Sequence, residues 1–260
     1  MRLKRLILTG AMFAAGLTAA LTSAAIAPAQ GDTICVMSYN VHNAVGMDGI
    51  RDVRRIADVI IASGADVVAV QEVDSVTNRS GGRYILGDIA AATGMNPVFS
   101  AAIDFDGGRY GIGLLSRERP LSVRRVPLPG AEEERTLLLA EFENYVMGVT
   151  HLSLTDADRL ASVDILAREA AAFDKPLILA GDFNASPDSP AIEALSQTFT
   201  PLSDAASPTF PADNPTVTID YIMYKGDNPP AVLSSQVVNE SMASDHCPVV
   251  CLLLLLPGQE

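Results

Sequence analysis

Six strand-like, mostly apolar segments of this chain end in residues that an apolar core cannot hold alone. "MSYN" ends in Asn40, "VAVQE" in Glu72, "GVTH" in His151, and "LILAGDFN" in Asp182 and Asn184. "TIDY" carries Asp220, and "SDH" sets Asp245 and His246 just before the last apolar run. A carboxylate or amide at the end of a buried strand is costly unless something pairs with it. Each residue alone has an ordinary explanation: Asp182 or Asp245 can cap a turn, and a single His151 can be a satisfied core histidine. Six such ends together call for a fold in which strand ends converge on one rim.

The remaining pattern supplies that fold. "TICVMSYN" alternates like a strand, and "DGIRDVRRIADVIIASG" carries Ile50, Val53, Ile56, Val59 and Ile60 at helical spacing before Gly64. "ADVVAVQEV" reads as a buried strand and "GRYILGDIAAATG" as a helix closed by Gly94. Strands follow at "RYGIGLLS", "LSVRRVPL", "RTLLLAEF" and "YVMGVTHL", the last two joined as a hairpin through Glu143 and Asn144. "TDADRLASVDILAREAAAF" is the longest helix, with Thr155 placed to cap it. A strand over 176–181, a short helix near 188–197 and strands near 217–224, 231–238 and 247–255 complete the chain. Interleaved strands and helices, with strands in excess, indicate an α/β protein with packed sheets and outer helices.

The first thirty residues stand apart. Arg2, Lys4 and Arg5 precede the apolar run "LILTGAMFAAGLTAAL", and "AIAPAQG" offers small residues for cleavage after Ala29. Residues 1–29 therefore read as a secretory signal and 30–260 as one domain, secreted or periplasmic. Membrane association is expected only if the leader stays uncleaved. Its removal takes three positive charges and moves the net charge from −13 to −16. So acidic a chain, with no Trp and 5% aromatic residues, disfavours nucleic acid as a partner. Cys247 and Cys251 lie about 13 Å apart along a strand, too far to bridge. Cys35 could pair with either if the first and last strands are neighbours; buried free thiols are the plainer reading.

Hard oxygen donors such as Glu72, Asp245 and the Asn40 amide suit Mg²⁺, with Mn²⁺ or Ca²⁺ as alternatives, rather than zinc. His42, close to Asn40, reads as an exposed loop residue. From Asp182 the pattern D-x-N-x-S with Glu193 at the twelfth position mimics a calcium loop, but Pro187 occupies the sixth position, where glycine is needed, and a buried strand precedes it. No nucleophile elbow, Walker loop or glycine-rich dinucleotide fingerprint is present, which argues against a serine esterase.

With "SYNV", "QEVD", "GIGLLSR", "THLS", "GDFNASP", "TIDYIMY" and "SDHCPV" in order, the chain resembles the endonuclease/exonuclease/phosphatase superfamily, the deoxyribonuclease I-like fold, from about residue 33 to 255. The resemblance implies a four-layered α/β-sandwich, two packed mixed sheets flanked by helices, and metal-dependent hydrolysis of a phosphate ester. It implies that Asn40 and Glu72 hold the cation with Asp245 close by, and that Asp182 orients or deprotonates the attacking water. Asn184 would contact the phosphate, His246 would donate to a phosphoryl oxygen with Asp220 bracing it, and His151 would bind phosphate or protonate the leaving group. The nuclease branch pairs this histidine with a glutamate, and none is placed between Asp74 and Ala102. Arg79, Arg83 and Arg109 either bind substrate phosphate or lie on solvated surface. A phosphodiesterase of a small-molecule, lipid-headgroup or nucleotide diester is expected, with a secreted nuclease or a non-catalytic binding module as alternatives, and a monomer.

Overall fold

The computed structural model describes residues 32–255. The leader and its cleavage point lie outside the described residues. Among the described residues, twelve strands form two six-stranded sheets. In chain order the first sheet takes β1 (Asp32–Asn40), β2 (Val67–Ser75), β3 (Asn96–Phe105), β4 (Gly108–Ser116), β11 (Ala231–Val237) and β12 (Val249–Leu255). The second takes β5 (Ser122–Leu128), β6 (Arg135–Glu141), β7 (Val146–His151), β8 (Leu177–Asp182), β9 (Thr200–Pro201) and β10 (Asp220–Lys225). The strand orders are β11-β12-β1-β2-β4-β3 and β5-β6-β7-β8-β10-β9.

Each sheet has one parallel pair, β1 with β2 and β7 with β8, and every other pair is antiparallel. Parallel neighbours need a crossover, and a helix supplies it in both cases: α1 (Val53–Ser63) and α3 (Asp156–Ala171). With α2 (Ile85–Thr93) and α4 (Pro190–Leu195) they cover the outer faces. Three apolar clusters follow from this layering. One holds Ile56, Ile60, Ile85 and Ile89 against the outer face of the first sheet, and one holds Leu166, Ile192 and Leu195 against that of the second. Between the sheets, Val36, Ala69, Val149, Ala180 and Ile222 interdigitate. The result is the helix–sheet–sheet–helix sandwich expected.

Local departures have local causes. Ile50 is exposed and lies before α1, because the Asp52 carboxylate accepts from the Arg54 and Arg55 amides and fixes the helix start there. Thr155 does occupy the N-cap of α3, but its hydroxyl donates to Glu132 rather than capping the helix. The strand β3 was not evident in the sequence, and β10 begins at Asp220 rather than near 217. The first and last strands are neighbours, yet Cys35 faces the α1–α2 layer and Cys251 the inter-sheet layer. All three cysteines are buried free thiols.

Candidate active site

Side chains alternate across a strand, so the residues on one face recur at every second position. Val36, Ser38 and Asn40 share the inner face of β1, and Met147, Val149 and His151 that of β7. Ile178, Ala180 and Asp182 do the same on β8. Each inner row is apolar in the middle of the sandwich and turns polar at the rim. Register then levels the ends: His151 and Asp220 both pair with Asp182 across β7–β8 and β8–β10. Because β12 runs antiparallel to β1, the segment before it, with Asp245 and His246, reaches the same rim.

Glu72 arrives differently. Val70 and Val73 of β2 face the helix layer, and regular alternation would turn residue 72 there too. A bulge between Val70 and Val73 and a left-handed backbone at Glu72 (φ 60°) redirect it to the rim. Asn184 is also left-handed (φ 48°), two residues past the end of β8.

Asp182 is the hub. Its Oδ2 accepts from Asn40 Nδ2 at 3.0 Å and lies 3.5 Å from His151 Nε2 and 3.7 Å from His246 Nε2. Its Oδ1 accepts from the Asn184 amide at 2.9 Å. Burial, and then the nearby Asp220 charge, raise the Asp182 pKa against the opposing pull of the two histidines. His246 Nδ1 is 2.9 Å from Asp220 Oδ2, which also accepts from Thr209 Oγ1 at 2.6 Å. Burial disfavours the imidazolium of His246, but Asp220, Asp182 and Asp245 together outweigh it and lift the pKa to about 10. His151 is the opposite case. Burial, with help from Arg135 and His246, holds it down at about 4 despite Asp182 and Glu132.

The group beside His151 is a guanidinium, not the glutamate of the nuclease branch. Arg135 Nη1 lies 3.4 Å from His151 Nδ1 and pairs with Glu133 Oε1 at 2.9 Å. A guanidinium only donates, so Nδ1 accepts and the imidazole proton sits on Nε2, toward Asp182. Arg135, Glu132 and Thr209 were not evident as site residues in the sequence. They lie on other segments and reach the site only through the tertiary fold.

The expected cation donors are partly together. Asn40 Nδ2 donates to Glu72 Oε1 at 2.9 Å, and carboxylate or imidazole atoms of Glu72, His151 and Asp182 lie within 4.8 Å of one another, as do those of Asp182, Asp220 and His246. Asp245 belongs to neither group; its Oδ1 lies 3.9 Å from His42 Nδ1. The Asn40 amide presents its nitrogen to the carboxylates, and its oxygen accepts from the His42 amide at 3.1 Å. Half a turn of the amide would bring the oxygen inward, since its two ends are nearly isosteric. The set, rich in carboxylate oxygen and holding no cysteine, can bind a hard divalent cation. Asn184 spends one N–H on the Leu152 carbonyl at 2.9 Å and keeps the other. Arg83 and Arg109 form surface pairs with Asp88 and Asp104, whereas Arg79 joins a cavity next to Glu72.

Two stacked mixed sheets carrying carboxylates and histidines on one rim define a phosphoesterase type of sandwich. The Endonuclease/Exonuclease/phosphatase family model matches residues 37–246, and the chain belongs to that family, whose members hydrolyse phosphate esters. No curated protein matches it. It is similar in structure to an endonuclease/exonuclease/phosphatase from Bacteroides vulgatus, at 19% identity and a TM-score of 0.73, with 86% of this chain and 99% of that one covered. A mannosyl-6-phosphatase of Bacteroides thetaiotaomicron superposes at 19% identity and a TM-score of 0.66, covering 85% and 100%. The human nocturnin catalytic domain does so at 20% and 0.66, covering 87% and 97%.

Proposed function

We propose that this protein is an exported, Mg²⁺-dependent hydrolase of small phosphate esters, working by direct attack of water on phosphorus. The observation that carries it is Asp182, a buried carboxylate between two imidazoles held in opposite protonation states. Glu72 and the Asn40 oxygen would hold the cation, with Asp245 near it. Bound there, the ion would shield phosphate charge and acidify water.

The protein's own groups divide the remaining work. Asp182, made more basic than a surface carboxylate, would orient the attacking water and take its proton. His246, an imidazolium at neutral pH, would donate from Nε2 to a phosphoryl oxygen as negative charge builds there. Asp220 keeps that proton in place through Nδ1. His151, neutral at the same pH, would bind the phosphate through its Nε2–H; with a pKa near 4 it is a poor store of a proton for the leaving group. The free N–H of Asn184 would make a further phosphate contact.

The chain from Gln30 onward, assayed on bis- and mono-nitrophenyl phosphate, tests this reading. Turnover is expected with Mg²⁺, abolished by excess chelator, and reduced about 10²–10⁴-fold in Asp182→Ala. The preferred ester assigns diester or monoester chemistry. Turnover that survives both the chelator and Asp182→Ala would refute the mechanism.

A further inference from the structure

A cavity of about 220 Å³ adjoins the candidate active site, with Glu72 in its wall. Its other walls bring together Arg51, Arg79, Asn43, Tyr110 and Glu133. Arg79 is committed: it binds the buried Asp74 carboxylate through Nε and Nη2 at 2.7 and 2.8 Å, and its guanidinium lies 4.4 Å above the Phe105 ring and 5.3 Å from that of Tyr110. Arg51 is held in place by backbone carbonyls alone, with Nε donating to Asn43 O and Nη1 to Arg79 O, and it makes no ion pair among the described residues. In so acidic a chain, an arginine positioned without a carboxylate retains hydrogen-bonding capacity for something else.

We propose that this cavity is the subsite for the alcohol portion of the substrate, and that it takes a single polyhydroxylated ring, a sugar or cyclitol. This rests on the hydrolase reading above and supplies its substrate class. Other occupants fit the walls poorly. A second phosphate only accepts hydrogen bonds and would face the carboxylates of Glu72 and Glu133. A quaternary ammonium group would need the aromatic faces, where the Arg79 guanidinium already sits. An acyl chain would strip water from charged groups and return nothing. Hydroxyl groups both donate and accept, so a ring bearing several of them can serve Arg51 and Glu133 together. The volume is below the usual range for drug-sized ligands, as a single ring requires.

The test compares substrates that differ only in the alcohol. With Mg²⁺, kcat/KM is measured for inositol 1-phosphate against glycerol 1-phosphate, and for glycerophosphoinositol against glycerophosphocholine. A preference of tenfold or more for the inositol member of the reactive pair is expected, falling toward unity in Arg51→Gln and in Glu133→Gln. Equal rates, a preference for the choline diester, or a preference unchanged in both variants would overturn the subsite. Calorimetry with Mg²⁺ separates this from failure of the hydrolase reading. Even if no ester is turned over, inositol 1-phosphate should bind at least tenfold tighter than inorganic phosphate, and Arg51→Gln should erase the difference. Equal affinities would overturn the subsite whether or not the protein is a hydrolase.

Discussion

At the scale of single residues, the histidines on either side of Asp182 make opposite statements about pH. The chain has three histidines in all, so their ring-proton NMR signals can be resolved and followed individually. The signal of His151 should stay flat through neutrality and move only as pH falls toward about 4, while that of His246 should hold its charged position until pH approaches about 10. A midpoint near 6.5 for either ring would contradict the environment described. The linked stability follows with opposite signs. His246 binds its proton more tightly in the folded state, so its contribution is complete below about 6.5 and is lost as pH rises toward about 10. His151 resists protonation when folded, so its effect is a loss of stability as pH falls from about 6.5 to about 4. Asp220→Asn tests the source of the His246 shift. The amide keeps the shape and an acceptor oxygen for Thr209 and His246, which already share Oδ2, but removes the charge. The His246 midpoint should drop, the alkaline limb of activity should move to lower pH with it, and breaking this buried pair should cost about 3 kcal/mol in denaturant unfolding. An unmoved midpoint would mean that Asp182 and Asp245 alone set the charge.

At the scale of elements, the site depends on a register irregularity. Strand β4 accommodates two bulges around Gly111, one in β2 that redirects Glu72 and one in β3 between Ala101 and Ile103. A Cβ at Gly111 would lie 2.2 Å from the Ser100 carbonyl oxygen and 2.8 Å from the Ala102 nitrogen. Both obstacles are backbone of β3, so Gly111→Ala should cost about 1–3 kcal/mol and displace the bulged segment of that strand. Chemical denaturation should show the loss. An unchanged denaturation midpoint would show that β3 absorbs the methyl without strain. This irregularity explains what the sequence could and could not reveal. Asn40, His151 and Asp182 were legible because ordinary alternation carries an apolar row straight into them. The path that turns Glu72 to the rim was not, because a bulge and a left-handed residue break the alternation that "VAVQEV" otherwise shows. The strand β3 was obscured similarly: "NPVFSAAIDF" opens with Asn and Pro, carries two alanines, and has its alternation broken by its own bulge. The pairing of Arg135 with His151 gave no local signal, since "RTLLLAEF" shows only a strand until β6 is laid beside β7.

At the scale of the whole molecule, two crossover helices and two parallel pairs place the rim, and the net charge decides how a substrate approaches it. The charge is −13, and removal of the residues proposed as a leader would deepen it to −16. A phosphate ester nearing such a surface is repelled at long range and attracted only close to Arg51, His246 and the cation site. Ionic strength separates these effects, because screening extends to about 30 Å at 0.01 M salt and shortens to about 8 Å at 0.15 M. The long-range repulsion is therefore removed first, while contacts inside the partly buried site are screened much less. Raising NaCl from 0.01 to 0.15 M should increase kcat/KM for an anionic ester by about twofold, through faster association. A protein that gathers polyanions by neutralising their phosphates behaves in the opposite way and loses affinity steeply with salt. A falling salt profile, with retention of duplex DNA in a mobility-shift gel at 0.15 M salt, would show that a local basic surface overrides the net charge and would move the substrate from small esters to nucleic acid.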